Sequence, residues 1–225
     1  MSKPQPKLTP SGLAALMSAR ICHDLISPVG ALNTALEILS DKDNTDMHKD
    51  AMDLIQHSAN QATSKLKFLR LAFGAGQSTP GELSLDDVKS LVHDLYAGGK
   101  VNYEWHASIH GIDKRYARLL LNLIMIATQS IPRGGEMKIS LERQESGISM
   151  RLVSQGPKAR LDDMFMHTIN GRAPEDGFDG RSIQPFYTGM LAREMSFSIS
   201  ADITDDIVTY NALQTSAKKD SSAAA

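Results

Sequence analysis

Arg20, His23, Asp24 and Pro28 stand close together in the string Arg20-Ile21-Cys22-His23-Asp24-Leu25-Ile26-Ser27-Pro28-Val29. A neutral imidazole is a nucleophile that titrates near neutral pH, and one ring nitrogen can carry a phosphoryl group. A carboxylate at the next position, Asp24, can orient the other nitrogen or hold its proton. Arg20, one turn earlier on the same side, can pair with phosphoryl oxygens; it can equally form an intrahelical or interdomain salt bridge. Pro28 removes one backbone N–H and bends a helix just past the histidine. The other histidines offer less. His106 and His110 sit four apart in a strand-like stretch where that spacing does not converge on a metal, and His48, His57, His93 and His167 have no partner at ligand spacing.

The elements that must hold these residues are legible from periodicity. With Ser11 as N-cap, the spacing predicts a helix to about Leu39, carrying Ala14, Met17, Ile21, Leu25, Val29, Leu32, Leu36 and Leu39 on one stripe. At about 100° per residue, His23 falls about 180° from the stripe centre at Leu32, so it should face solvent. Its neighbours on that outer face are Leu16, Ala19, Arg20, Ile26, Ser27, Gly30 and Thr34. They are small or apolar where a solvated face would carry Glu and Lys, which reads as a docking surface. Cys22 lies about 80° from the stripe, a position that predicts semi-buried packing.

A polar turn, Ser40–Asp46, leads to a second amphipathic helix from about Met47 to Phe73, with Ala51, Leu54, Ile55, Ala62, Leu66 and Leu69 on its apolar side. Residues 11–73 thus form a helical hairpin. A lone hairpin buries too little, so pairing with a second copy into a four-helix bundle is the economical completion. Residues 1–10 read as a disordered arm, 74–82 as a Gly/Ser/Pro linker and 214–225 as a disordered tail. Between them, residues 83–213 alternate helices with antiparallel strands, an α+β sandwich.

The string His23-Asp24-Leu25-Ile26-Ser27-Pro28-Val29 resembles the H-box of two-component histidine kinases, which lies on the first helix of a dimerising hairpin. The longer run SARICHDLISPVGALNTALEIL is similar to the ChpT-like histidine phosphotransferases of alphaproteobacteria, in which such a segment surrounds the phosphorylated histidine. That resemblance implies that residues 83–213 take a histidine-kinase ATPase-like fold. Leu119–Gly135 resembles the kinase N-box, yet Ile126 stands where a second Asn should ligate a metal. Ser154-Gln155-Gly156-Pro157-Lys158 lacks the adenine-reading Asp and the second Gly of the next box. Gln184–Met190 offers one glycine among bulky neighbours where a glycine-rich lid should wrap a triphosphate. The second part therefore reads as an ATPase-like fold emptied of nucleotide chemistry.

The resemblance implies a phosphorelay carrier. His23 would accept phosphoryl from the aspartate of a hybrid-kinase receiver domain and pass it to response-regulator receivers. Asp24 would manage the proton and Arg20 steady the oxygens. Leu16, Ala19, Ile26, Ser27, Gly30 and Thr34 would meet the partner. The chain would bind no cofactor, the receiver supplying Mg²⁺. A divergent autophosphorylating kinase and a non-catalytic dimeric adaptor are the alternatives. Composition agrees with the bland part of this reading. The chain has 225 residues, 41% of them hydrophobic, with a formal net charge of −2, which argues against coating nucleic acid or an anionic membrane. One cysteine excludes an internal disulfide, no apolar run reaches a membrane span, and the first residues lack a signal-peptide core. A cytoplasmic protein is the expectation.

Overall fold

Thr9 opens the first helix, α1 (Pro10–Ser40), by accepting the Gly12 N–H on its hydroxyl at 3.0 Å. The cap lies two residues before the expected Ser11 because Pro10 takes the first helical position, where a missing N–H costs nothing. The structure, a computed structural model, describes residues 8–41, 45–74, 81–145 and 147–215. After a 3₁₀ turn at Thr45–Met47 the chain folds back along α1 as α2 (His48–Phe73). The rest is β1 (Glu82–Ser84), α3 (Leu85–Tyr96), β2 (Val101–Ala107), β3 (Gly111–Asp113), α4 (Lys114–Gln129), β4 (Gly135–Gln144), β5 (Gly147–Gln155), α5 (Phe165–Ile169), α6 (Ile183–Glu194), β6 (Phe197–Thr204) and β7 (Ile207–Gln214).

The α+β order expected from the sequence is present. Five strands form one mixed sheet in the order β2-β4-β5-β7-β6; β2 departs from the antiparallel expectation by lying parallel to β4, to which the chain returns through the crossover helix α4, and the other pairs are antiparallel. Alternation places Met137, Ile139 and Leu141 of β4 opposite Ser154, Leu152 and Met150 of β5, all buried on the helix-covered face. Against them lies α4, whose residues 119–127 are buried all round because the sheet covers one side and α2 and α6 the other. Three short elements escaped periodicity: β1 and β3, which pair as a separate two-stranded sheet, and α5. Glu82, the last residue of the expected linker, already pairs with Asp113 in that small sheet. Residues 75–80 of the linker, 42–44 of the polar turn, 1–7 of the arm and 216–225 of the tail lie outside the described residues.

The hairpin is joined to the sandwich at the end of α2. A helix leaves its last four carbonyls without intrahelical donors. Here α4 supplies two of them: Asn122 Nδ2 donates to Ala72 O at 2.9 Å, and Arg118 donates to Gly74 O. Phe68, Leu69 and Ala72 enter the core of the sandwich, and Phe73 meets the Tyr187 ring edge-on at 5.7 Å.

Gly189 explains the one glycine of the lid-like segment. It lies inside α6, and a Cβ there would sit 1.8 Å from Ile169 O at the end of α5. The glycine serves close helix packing. Gly189→Ala should therefore force the two helices apart, costing about 1–3 kcal/mol. Thermal denaturation should show the midpoint lowered by roughly 2–12 °C for a chain this size. A midpoint that does not move would count against this contact.

Candidate functional site

His23 projects from the middle of α1 with its side chain 84% exposed, on the face opposite the hairpin core as its wheel position predicts. Its Nδ1 lies 3.3 Å from Asp24 Oδ1. For this contact to be a hydrogen bond with an ionised carboxylate, Nδ1 must carry the ring proton. The lone pair then stands on Nε2, pointing outward. Asp24 is only about one-fifth exposed, because its other oxygen, Oδ2, accepts from Arg20 Nε at 3.2 Å.

Arg20 is more engaged than its sequence position suggests. Beside the bond to Asp24, its Nη1 donates to the carbonyl of Gly180 at 2.9 Å, across 160 residues of sequence. The Gly180 loop is itself braced by Asp179, whose carboxylate accepts from the Arg181 and Ser182 N–H groups and the Ser182 hydroxyl. The Ser182 bonds, its hydroxyl first, hold the Asp179 carboxyl below the usual Asp range. Such a brace is present above the ordinary Asp titration and is lost as pH falls through the lowered value. Arg20 thus makes the intrahelical salt bridge that the sequence left open as an alternative, and its bond to the Gly180 carbonyl also links α1 to the segment preceding α6.

Of the docking residues, Ala19, Ile26, Ser27, Gly30 and Thr34 are exposed and Leu16 is half-buried. Ile26 is 67% exposed, a large apolar side chain presented to solvent one turn from the histidine. A Cβ added at Gly30 would meet nothing within 4 Å, so no packing inside the chain requires glycine there. The Thr34 hydroxyl donates back to Gly30 O at 3.2 Å and is tied to the helix. Cys22 departs from its sequence reading: it is exposed, not semi-buried. The buried residues of α1 are Met17, Pro28 and Ala35, so the packed sector is centred about 50° from Leu32, on the side away from Cys22.

Lys65 was missed altogether. From α2 its Nζ donates to the backbone carbonyl of Asp24 at 2.9 Å. The only sequence signal was indirect: Pro28 has no N–H to offer that carbonyl, and nothing in the pattern says which donor takes its place.

The family model of the histidine phosphotransferase C-terminal domain matches residues 85–207. The chain is 35% identical over 200 residues to the protein phosphotransferase ChpT of Brucella abortus (strain 2308), covering 89% of this chain and 94% of that protein. The chain belongs to the histidine phosphotransferase family. A solved bacterial phosphotransferase superposes with a TM-score of 0.81 at 33% identity, over 94% of this chain and all (100%) of that one. The Acinetobacter baumannii histidine kinase AdeS is a looser likeness, with 13% identity and a TM-score of 0.46 over 87% of this chain and 98% of that one.

In this ChpT-like phosphotransferase, a member of the phosphorelay proteins, the positions that resemble kinase nucleotide motifs have structural occupations. Asn122 holds the end of α2. Ile126 is buried in the core. Ser154 donates its hydroxyl to Ala127 O at 3.1 Å, and Ser130 bonds the Tyr210 hydroxyl at 2.6 Å. Phe165 of α5 packs edge-on against the same Tyr210 ring at 5.2 Å. Gln184, Thr188 and Gly189, from the segment aligned with the lid, are buried turns of α6.

Proposed function

We propose that His23 is the phosphoacceptor. It takes a phosphoryl group from the aspartate of a hybrid-kinase receiver domain and returns it to the aspartates of response-regulator receivers. One observation carries this reading: a solvent-facing imidazole whose Nδ1 is held by a carboxylate, leaving Nε2 free. In the forward step Nε2 attacks phosphorus, the P–N bond forms, and the P–O bond to the receiver carboxylate breaks with the electron pair leaving on oxygen. The imidazole becomes cationic, and Asp24 beside Nδ1 stabilises that charge. The onward step is the reverse with a second carboxylate. We assign the Mg²⁺ that steadies the transferring oxygens to the receiver, with no metal or other cofactor held by this chain.

The receiver would dock on Leu16, Ala19, Ile26, Ser27, Gly30 and Thr34. Gly30 supports this. A mid-helix glycine costs about 1 kcal/mol relative to alanine, and the packing of this chain offers no return for it. Close approach by a partner does. Arg20 fits an electrostatic and positioning part better than a free clamp, since two of its donors are already engaged. Transfer of labelled phosphoryl from charged receiver domains, giving an acid-labile product, tests the assignment.

The functional unit is a homodimer in this reading. Val29 (47%) and Leu36 (52%) lie on the apolar stripe of α1 yet are exposed in one chain, and Leu66 of α2 joins them. Pairing two hairpins through these residues gives the four-helix bundle. No helix among the described residues is long and apolar enough to cross a membrane, and a carrier that meets receiver domains works in the cytoplasm without nucleic acid or membrane as partner. The second domain acts as scaffold and docking surface without ATP chemistry. Titration calorimetry with Mg-ATP should accordingly give no binding in the submillimolar range. A measurable submillimolar affinity would restore the kinase reading.

A further inference from the structure

We propose that Lys65 is a positioning residue for phosphoryl transfer, a proposal that rests on His23 being the acceptor. Within α1 each carbonyl accepts from the N–H four residues on. At Asp24 that donor would be residue 28, and Pro28 has none. The proline ring also crowds the carbonyl four residues back and turns it away from the helix axis. A backbone carbonyl left half-buried and unpaired is costly, so something must take it. Lys65 does, reaching from α2 to donate Nζ to Asp24 O at 2.9 Å. Among the described residues its ammonium makes no ion pair, so charge neutralisation is not its task.

Asp24 is thereby held at three points. Lys65 fixes its carbonyl, Arg20 holds Oδ2, and Oδ1 meets the acceptor ring. Lysine at position 65 sets the backbone from which the carboxylate projects, and the carboxylate sets the tautomer and direction of the imidazole. In-line transfer tolerates little misplacement, and a shift of about 1 Å can cost a hundredfold. Proline in the H-box and lysine on the opposite helix form one unit: the first vacates a carbonyl, and the second uses it to tie α1 to α2 beside the reacting group.

The test is a double-mutant cycle between Lys65 and Pro28 with two readouts. One is the ¹⁵N spectrum of the His23 ring in its neutral form, which reports the Nδ1–H fraction and needs no partner. The other is the rate of His23 phosphorylation by phosphoramidate, in which Nε2 attacks phosphorus and ammonia leaves as the P–N bond of the reagent breaks. Lys65→Met should lower the Nδ1–H fraction and slow phosphorylation about tenfold or more. Lys65→Arg, which keeps a donor, should recover most of both. In a Pro28→Ala background the restored N–H takes Asp24 O, and Lys65→Met should then change either readout by less than about twofold. An unchanged spectrum and rate in Lys65→Met would overturn the proposal, as would an equal loss with and without Pro28. If Lys65→Met alone does not fold, the comparison of Pro28→Ala with its Lys65→Met double variant decides. Phosphorylation persisting in His23→Ala would instead sink the acceptor assignment, leaving the ring spectrum to judge Lys65 by itself.

Discussion

His23→Ala should abolish phosphoryl acceptance while leaving the fold intact. The separation follows from geometry. The side chain is 84% exposed, and among the described residues its one polar contact is to Asp24 Oδ1 at 3.3 Å. Exposed substitutions of this kind usually stay within about ±0.5 kcal/mol, so the thermal midpoint should hardly move. The chemical loss should be complete, because α1 carries no second imidazole to take the group. His23→Gln keeps polarity and approximate size and should behave like alanine. Asp24→Asn should slow transfer by about 10²–10⁴-fold without abolishing it, since orientation and charge stabilisation are partial contributions. Transfer from a charged receiver, followed as acid-labile label, checks all three variants. Label retained by His23→Ala would place the acceptor elsewhere, and unfolding of that variant would make the histidine structural.

The second large effect concerns assembly. Val29→Asp combined with Leu36→Asp should convert a dimer into a folded monomer. Both side chains are exposed in the single chain, so neither substitution opens a cavity in the hairpin itself. In the dimer, four apolar side chains would be lost from the seam at about 1.5–3 kcal/mol each. Four carboxylates would be placed there without partners. At about 1.4 kcal/mol per factor of ten, the dissociation constant should rise at least a thousandfold. Sedimentation at micromolar concentration reads the result directly. A wild-type chain that sediments as a monomer would refute the dimer. His23 lies about 130° around the helix from Val29 and Leu36, so the acceptor face should stay open in either state. The seam is better probed here than at Leu32, which is already half-buried within one chain.

The two helices of the hairpin, the alternation of helices and strands in the second part and the facing of His23 were legible in the residue pattern because each depends on neighbours a few positions away. Periods of 3.6 and 2 act within one or two turns of chain. The same logic singled out His23 as the proposed acceptor, since a histidine placed opposite a stripe needs only its own helix to be read. Where the reading slipped, a short-range pattern had two explanations. The apolar stripe of α1 is one band in sequence, but folding divides it. Met17, Pro28 and Ala35 pack within the chain, while Val29 and Leu36 stay exposed. Periodicity reports that a face is apolar and cannot say which partner covers it, and Cys22 was misplaced for that reason. Short elements such as α5, with five residues, carry too little pattern to be seen.

Tertiary structure alone decided the support of the site. Arg20 finds Gly180 across 160 residues, Asn122 finds Ala72 across 50, and Lys65 finds Asp24 across 41. Each is a polar side chain meeting a backbone carbonyl that lacks its usual donor or lies in a loop. Any carbonyl is chemically alike in sequence, so no residue type marks the acceptor. What the sequence does contain is the vacancy: Pro28 leaves Asp24 O without a donor, and the end of α2 leaves Ala72 O without one. Which side chain fills each vacancy depends on how helices distant in sequence pack, and only the folded chain settles that.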